Sequence, residues 1–576
     1  MRPRLSANLS YLLVALAALI PRVVGLGQFV TIDEVGGWML RSARFLAALG
    51  TGDLAATAQS AHPGVTTMWL GALGIALHDA LAARSLIDPA DFATRLGLMQ
   101  LMPALANAAA VVAGYGLLRR LLAPRLALLA ALLWALDPFV IGFNRVLHVD
   151  GLMGSFATLS VLAACVYWGL GVGGAAPAWA VDRLAAGVTE EGGEPHQSGN
   201  FYLGRPVDVP GPQYYATALA MRLTPITMLG LGLLGLRWRR RARGDQAALA
   251  ALAWFALLLM LELSLFPKKF DRYLEPAFPA VDILAAAGLL ALAEGWRSAP
   301  RRALLGGLAL AAAANAAWWH PYGIIAYNQL LGGAPMGART FHMGWGEGMP
   351  QVAAWLNRQP GIDEQGTISS SVATLRPYLR PGVGVDLPPA GGQIPPDAGF
   401  AVAYLRSAQA GLDPPLERVA ATQTPVFTVT IHGVAYAQIY EVVPAPQHEL
   451  RAAFGEGIVL QGYDLAQGDG RLGLTLHWAT AGPPPDVALF VHLLDSAGQR
   501  RAQIDLPEVT AGWDGGRHYR TRLALPLPGD LPAGEYALAL GLYDPQSFTR
   551  LPLSGAPAAD PAAAGPDALL LTSVRR

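Results

Sequence analysis

The sequence predicts a multi-pass α-helical membrane protein with an α/β segment and a C-terminal β-sandwich carried on its outer side. Three observations lead there. The 576-residue chain is 53% hydrophobic and only 14% charged, well short of the roughly one quarter charged that soluble domains average. Apolar stretches of about 20 residues, enough helix to cross a bilayer, stand near 9–27, 94–118, 122–142, 150–175, 214–236, 246–266, 273–293 and 302–319. Beyond residue 320 these stretches stop, and short runs with the two-residue period of strands take over.

The first stretch follows a basic start, "MRPR". Pro21 and Arg22 interrupt its end and no small-x-small cleavage site follows, so a retained anchor is expected rather than a signal peptide. A weaker apolar run, 63–82, opens with His62 and Pro63 and carries His78 and Asp79; it is expected to lie on the outer surface. Orientation follows from basic residues, which stay on the cytoplasmic side. "MRPR", Arg119 and Arg120 with Arg125, "RWRRRAR" at 237–243 and "RSAPRR" at 297–302 are therefore inside. That leaves 28–93, 143–149, 176–213, 267–272 and everything from about 320 onward on the outer side of the cytoplasmic membrane. One parity defect remains: 150–175 starts outside, yet 176–213 must be outside again. A re-entrant hairpin broken at "GLGVGG" removes the conflict, as does a loss of about three crossings.

Residues 323–447 mix the helical pattern "MPQVAAWLNRQ" with strand-like runs such as "FAVAYL", and are expected to form a small α/β domain after a membrane domain spanning 1–322. From 448 to 576 the runs "GIVLQGYDL", "RLGLTLHWAT", "VALFVHLLD" and "EYALALGLYD", separated by Gly, Pro and Asp, predict a β-sandwich of jelly-roll or Ig-like kind.

Basic and acidic residues balance at 41 each, so no global field attracts nucleic acid. Cys165 is the single cysteine, which excludes an intrachain disulfide and a zinc site built on thiolates. Ionisable residues inside spans are costly and usually functional; here they are Arg22, Asp137, Arg222, Glu262 and Asp282, all in the expected outer halves of their helices. Above them lie the acidic pair Asp33 and Glu34 of "TIDEVGGW", His62 of "AHPG", Arg145, His148 and Asp150 of "NRVLHVDG", and Lys268, Lys269, Arg272 and Tyr273 of "FPKKFDRYLEPAFP". If helical, that last stretch puts Lys268, Lys269 and Arg272 on one face, suited to a lipid phosphate. Each group has a plain reading as well: a solvated loop for the acids, a helix cap for His62, snorkelling anchors for the lysines. Only their convergence on one side of the membrane calls for more.

These ordered pieces, over roughly residues 9–320, resemble the GT-C glycosyltransferases, in particular bacterial relatives of dolichyl-phosphate-mannose protein mannosyltransferases and of lipid A aminoarabinose transferase. "YNQLLGGAPMGARTFHMGWGEGMPQVAAWLN" is similar to the segment after the last span in a bacterial subgroup. The resemblance implies transfer of a sugar from a polyprenyl-phosphate donor to a hydroxyl of a protein, lipid or glycan acceptor, outside the cytoplasmic membrane. It maps the base to Asp33 with Glu34 beside it. Lys268, Lys269, Arg272 and Tyr273, with Arg222, would hold the donor phosphate; Arg22, His62, Arg145, His148 and Asp150 would orient substrate. No cofactor is expected; a divalent metal would have only His62, His148 and these acids as ligands. The alternative is a degenerate relative that binds a glycan or glycolipid without catalysis. A transporter of lipid-linked sugars fits less well, because the inner halves of the spans are apolar.

Overall fold

The computed structural model describes residues 2–575 apart from 61–63, 170–194, 196–198, 239–242, 295, 390–391, 393, 396–397, 444, 469 and 556–566. The membrane part comprises α1 (Arg2–Val23), α2 (Met39–Thr51), α3 (Val65–Ala82), α4 (Phe92–Leu121), α5 (Pro124–Leu136), α6 (Pro138–Asn144), α7 (Val149–Gly169), α8 (Tyr214–Arg222), α9 (Pro225–Arg237), α10 (Arg243–Leu265), α11 (Phe278–Ala291) and α12 (Ser298–Trp319). Among the described residues, five segments are long and apolar enough to cross a membrane: Val65–Ala82, Phe92–Leu121, Val149–Tyr167, Asp245–Leu265 and Asp271–Ala291. The chain is a multi-pass membrane protein.

Two expectations change. The run 63–82, expected on the surface, forms in α3 a helix that meets the criteria for a span, and it packs closely on α4: a Cβ at Gly74 would lie 2.5 Å from Met99 Cα. The stretch 214–236 is not one straight helix but two, α8 and α9, bent by 111°. Pro225 causes the bend, because its ring drives Thr224 out of helical geometry to ψ 154°, and Thr224 then caps the new helix by accepting from Thr227 N at 3.1 Å. The break expected at "GLGVGG" within 150–175 falls on residues 170–174, which lie outside the described residues; α7 reaches Gly169.

Close approaches hold the bundle together. A Cβ at Gly288 of α11 would fall 1.8 Å from Gly230 O of α9, so the two helices touch backbone to backbone, as membrane helices do where small residues meet. Two of the acids expected inside spans serve these joints. Asp137 caps α6 at its 61° break from α5, accepting from Val140 N at 3.0 Å, and Asp282 of α11 accepts from Thr227 Oγ1 of α9 at 2.9 Å. Glu262 is exposed on α10.

A hairpin of β1 (Asn200–Tyr202) and β2 (Arg205–Val207) precedes α8. After α12 come α13 (Gly333–Thr340) and α14 (Met349–Leu356), then β3 (Gly366–Ser369), α15 (Val372–Leu375), β4 (Val385–Asp386), β5 (Ala398–Tyr404), α16 (Leu405–Ala410), α17 (Pro414–Thr422), β6 (Phe427–Ile431) and β7 (Val434–Glu441). The sheet order is β4-β3-β5-β7-β6, with β3 parallel to β4 and to β5 and the remaining pairs antiparallel. One apolar core runs from Val14 of α1 through Trp134, Phe278 and Trp345 to Ile439 of β7. The α/β segment is thus seated on the helices rather than tethered to them.

The C-terminal strands β8 (His448–Phe454), β9 (Ile458–Gly468), β10 (Arg471–Thr480), β11 (Ala488–Leu494), β12 (Arg500–Leu506), β13 (His518–Pro526), β14 (Glu535–Tyr543), β15 (Leu553–Ser554) and β16 (Leu569–Arg575) form a sandwich of two antiparallel sheets. Strand order is β13-β10-β9-β8-β15 in one and β12-β11-β14-β16 in the other. Alternate residues such as Leu474, Leu476, Leu489, Val491, Leu538 and Leu540 fill a core of its own. It meets the α/β segment through Arg517, whose Nε lies 3.2 Å from Glu441 Oε1.

Candidate active site

Four charged side chains from three separate loops meet at one end of the bundle. Asp33 precedes a π-helical turn, Glu34–Trp38, and its carboxylate makes no capping bond, which leaves it free to point elsewhere; such turns are rare and gather at functional sites. His148 Nε2 lies 3.3 Å from Asp33 Oδ2, and His148 Nδ1 lies 3.2 Å from Asp150 Oδ2. Arg272 closes the ring, with Nη2 3.2 Å from Asp33 Oδ2 and Nε 3.5 Å from Asp150 Oδ2. Two carboxylates and two cations therefore alternate. Asp33 is the most open of the four, its side chain 33% exposed against 8% to 18% for the others.

The charges tune one another. Burial would push the His148 imidazole down, but the Asp150 and Asp33 carboxylates outweigh it and hold it up at about 9. The Asp150 backbone N–H also approaches Nδ1 at 3.3 Å, a contact that suits a neutral ring; two flanking carboxylates favour the protonated one. Burial likewise opposes ionisation of Asp33, and the His148 hydrogen bond with the Arg272 charge reverses it, holding the carboxyl well below its usual range.

Aromatic rings frame the ring of charges. The Arg272 guanidinium lies 4.4 Å from the centre of Trp345, and His148 packs edge-on against Trp345 and Trp38. Trp345 is put there by its neighbours in "GWGEG". Gly344, Gly346 and Gly348 all have positive φ, and a Cβ on Gly346 would fall 2.0 Å from Val30 O. Glycine is required, because here the first loop and the 342–348 loop touch backbone to backbone, with Ile32 N donating to Trp345 O at 2.9 Å. Glu347 folds back to accept from Trp345 N and Gly346 N.

A small cavity of about 50 Å3 opens beside the cluster, lined among others by Phe143, Arg222, Phe270, Asp271, Arg272, Trp345 and Arg406. Arg406, from α16, faces both Arg272 and Asp33; after burial, the Arg272 charge is the main influence lowering its pKa. Two guanidiniums held near one another favour an anion between them.

Of the residues expected in the site, Asp33, His148, Asp150 and Arg272 come together, and Tyr273 lies beneath the Arg272 guanidinium at 5.6 Å. Others are corrected. Glu34 is wholly buried and turned away from Asp33. Its Oε2 accepts from Thr31 N and Thr31 Oγ1 at 2.8 and 3.0 Å, and its Oε1 from Gln100 Nε2 and Leu147 N at 2.9 and 2.8 Å. Four donors use its lone pairs to tie the first loop to α4 and to the 145–148 turn. Arg145 donates to Val24 O at 2.6 Å, holding the end of α1. Arg22 donates to Asn144 Oδ1 and to Ala18 O and Ala135 O. Arg222 is saturated by Asp271 Oδ2, Ile324 O, Ala326 O and Tyr327 OH. Arg22 keeps one buried nitrogen, Nη2, without a hydrogen-bond partner, and Arg222 lines the cavity beside Arg272.

The shared basic face of Lys268, Lys269 and Arg272 does not form. Phe266 precedes Pro267, α10 ends at Leu265, and Phe270 is extended at φ −136°, ψ 145°. Lys269 Nζ turns back to donate to Phe266 O at 2.6 Å, and Lys268 is half-buried in the same loop. His62 lies outside the described residues. Among the described residues no group of three or more His, Cys, Asp or Glu side chains is placed to hold a metal ion.

Trp345 and Arg406 were not singled out from the sequence. The spaced glycines of "GWGEG" signalled a tight loop around an aromatic residue, whereas nothing local distinguishes Arg406 in "YLRSAQ".

No family model matches the sequence, and no curated protein matches it. Among solved structures, the chain is similar to ArnT from Cupriavidus metallidurans, crystallised with undecaprenyl phosphate. The TM-score is 0.34 and the identity 14%, over 76% of this chain and 97% of that one. The likeness is loose and says nothing of chemistry.

Proposed function

We propose that the chain is a membrane glycosyltransferase that moves a sugar from a polyprenyl-phosphate donor to an acceptor hydroxyl on the outer side of the cytoplasmic membrane. One observation carries the reading: an ionised, half-open carboxylate, Asp33, stands in contact with a fixed arginine, Arg272, beside a cavity that a second arginine, Arg406, also lines. That is the pair of groups the reaction needs. As the acceptor oxygen attacks the anomeric carbon, its proton passes to Asp33 and the bond to the phosphate oxygen breaks, the electron pair leaving with the phosphate. The leaving charge is met by Arg272 and Arg406. His148 and Asp150 hold Asp33 and Arg272 in register.

The cluster also sets a condition. While Arg272 and His148 bond to it, Asp33 is a weak base. A donor phosphate that draws Arg272 toward itself takes that stabilisation away and raises the basicity of Asp33 when substrate is present. The test is binding of undecaprenyl phosphate to the purified protein in lipid nanodiscs. Loss of binding on Arg272→Ala and on Arg406→Ala, with Lys269→Ala near wild type, supports the phosphate assignment. Unchanged binding by both arginine variants would refute it.

A further inference from the structure

A second cavity, of about 230 Å3 and open to solvent, lies in the α/β segment and is lined by Ser370, Ser371, Thr374, Ser407, Arg406 and Trp345 among others. It occupies a telling place. Strands β3 and β5 run parallel, with Ile368 opposite Ala401 and Ser369 opposite Val402, and the cavity sits just beyond their carboxyl ends, where the chain turns into α15 and α16. Open α/β sheets take their ligands in that crevice. It also shares His342, Gly344, Trp345 and Arg406 with the cavity beside Arg272, and Ile32, the neighbour of Asp33, lines it. Only the thickness of the Gly344–Gly346 loop separates an occupant from the cluster.

The lining selects a chemistry. Ser370 Oγ and Ser407 Oγ lie 2.5 Å apart, and with Ser371 and Thr374 they give a wall of hydroxyls that both donate and accept. Among the described lining residues there is no carboxylate, which disfavours a cationic ligand. The crevice is too confined for a folded protein surface. We infer that this crevice is the acceptor subsite and that the acceptor presents a polyhydroxylated carbohydrate ring. The inference rests on the glycosyltransferase reading and adds the class of acceptor.

The test uses the full chain in lipid with a radiolabelled polyprenyl-phosphate sugar. Label released to water is compared with label transferred to methyl glycosides, to membrane-embedded octyl glycosides and to a serine-containing peptide. The inference predicts transfer to glycosides but not to the peptide; the methyl and octyl arms tell a soluble glycan from a glycolipid. It further predicts that the ratio of glycoside transfer to release falls about tenfold in Ser407→Trp, which fills the crevice, and in Ser370→Ala/Ser407→Ala, which removes hydroxyls without adding bulk. Because a ratio is read, partial misfolding does not mimic the effect. Transfer to the peptide in place of glycosides would overturn the inference, as would release with no glycoside transfer or an unchanged ratio in both variants. Wild type that neither releases nor transfers would instead overturn the glycosyltransferase reading itself.

Discussion

Asp33 and Glu34 are neighbours in sequence and opposites in structure: one carboxylate joins the charged cluster with His148 and Arg272, the other is enclosed by four donors. Sequence alone could name the pair but not divide its labour, because the division depends on Gln100 and the Leu147 N–H, far along the chain. Glu34→Gln presents an amide hydrogen to groups that are themselves donors. It should lower stability by about 1–3 kcal/mol, read as a lower melting temperature, while leaving the turnover of the folded fraction intact. Arg22 and Arg222 were legible as costly charges inside spans and Arg145 as part of an outer turn; all three donate to backbone carbonyls, Arg222 to Asp271 as well. The His148 charge makes a prediction about pH. Its folded value near 9 exceeds the ordinary 6.5, so its stabilisation is complete below about 6.5 and drains away as pH rises toward 9. Asp33 is shifted the other way, and its contribution is complete above its ordinary value of 3.8 and lost as pH falls below it. Thermal stability of the wild type should therefore decline between neutrality and pH of about 9, and His148→Gln should lack most of that decline. An equal decline in both would contradict the charge assigned to His148.

At the scale of elements, the apolar stretches were plain in the sequence because a span must be long and nearly uncharged, but their bends were not. Pro225 and Pro138 mark the two breaks, and only packing decides that the first turns the chain by 111° and the second by 61°. The extended backbone at Phe270 likewise undid the helical face expected of Lys268, Lys269 and Arg272. Loops between the spans carry the site, and glycine geometry fixes them. Gly346→Ala should force the first loop and the 342–348 loop apart, since the new Cβ has no room against Val30 O and φ is +136°. The strain, about 1–3 kcal/mol, should appear as a lower melting temperature together with weaker undecaprenyl phosphate binding, because Trp345 and Arg272 move with the loop. Gly36→Ala, where a Cβ meets nothing within 4 Å, is the matched control.

Across the whole molecule, the composition announced a membrane protein and the strand periodicity announced the sandwich. What the sequence concealed is that the α/β segment shares a core with the helices and supplies Arg406 and Trp345 to the cluster; contacts between residues hundreds of positions apart leave no local pattern. The sandwich, by contrast, has a separate core and lines neither of the two cavities. A chain ending at Val443 should therefore keep donor release while losing the support of Arg517 on Glu441. The account as a whole stands on Asp33 acting as a base beside a held phosphate. Its most direct test is sugar release and transfer from a radiolabelled polyprenyl-phosphate donor by purified protein in lipid, with wild type and Asp33→Asn assayed side by side. The account predicts turnover by the wild type and a loss on the order of a hundred- to ten-thousand-fold in the variant, with donor binding retained. Equal turnover by the two proteins, or none by a wild type that binds the donor, would contradict it.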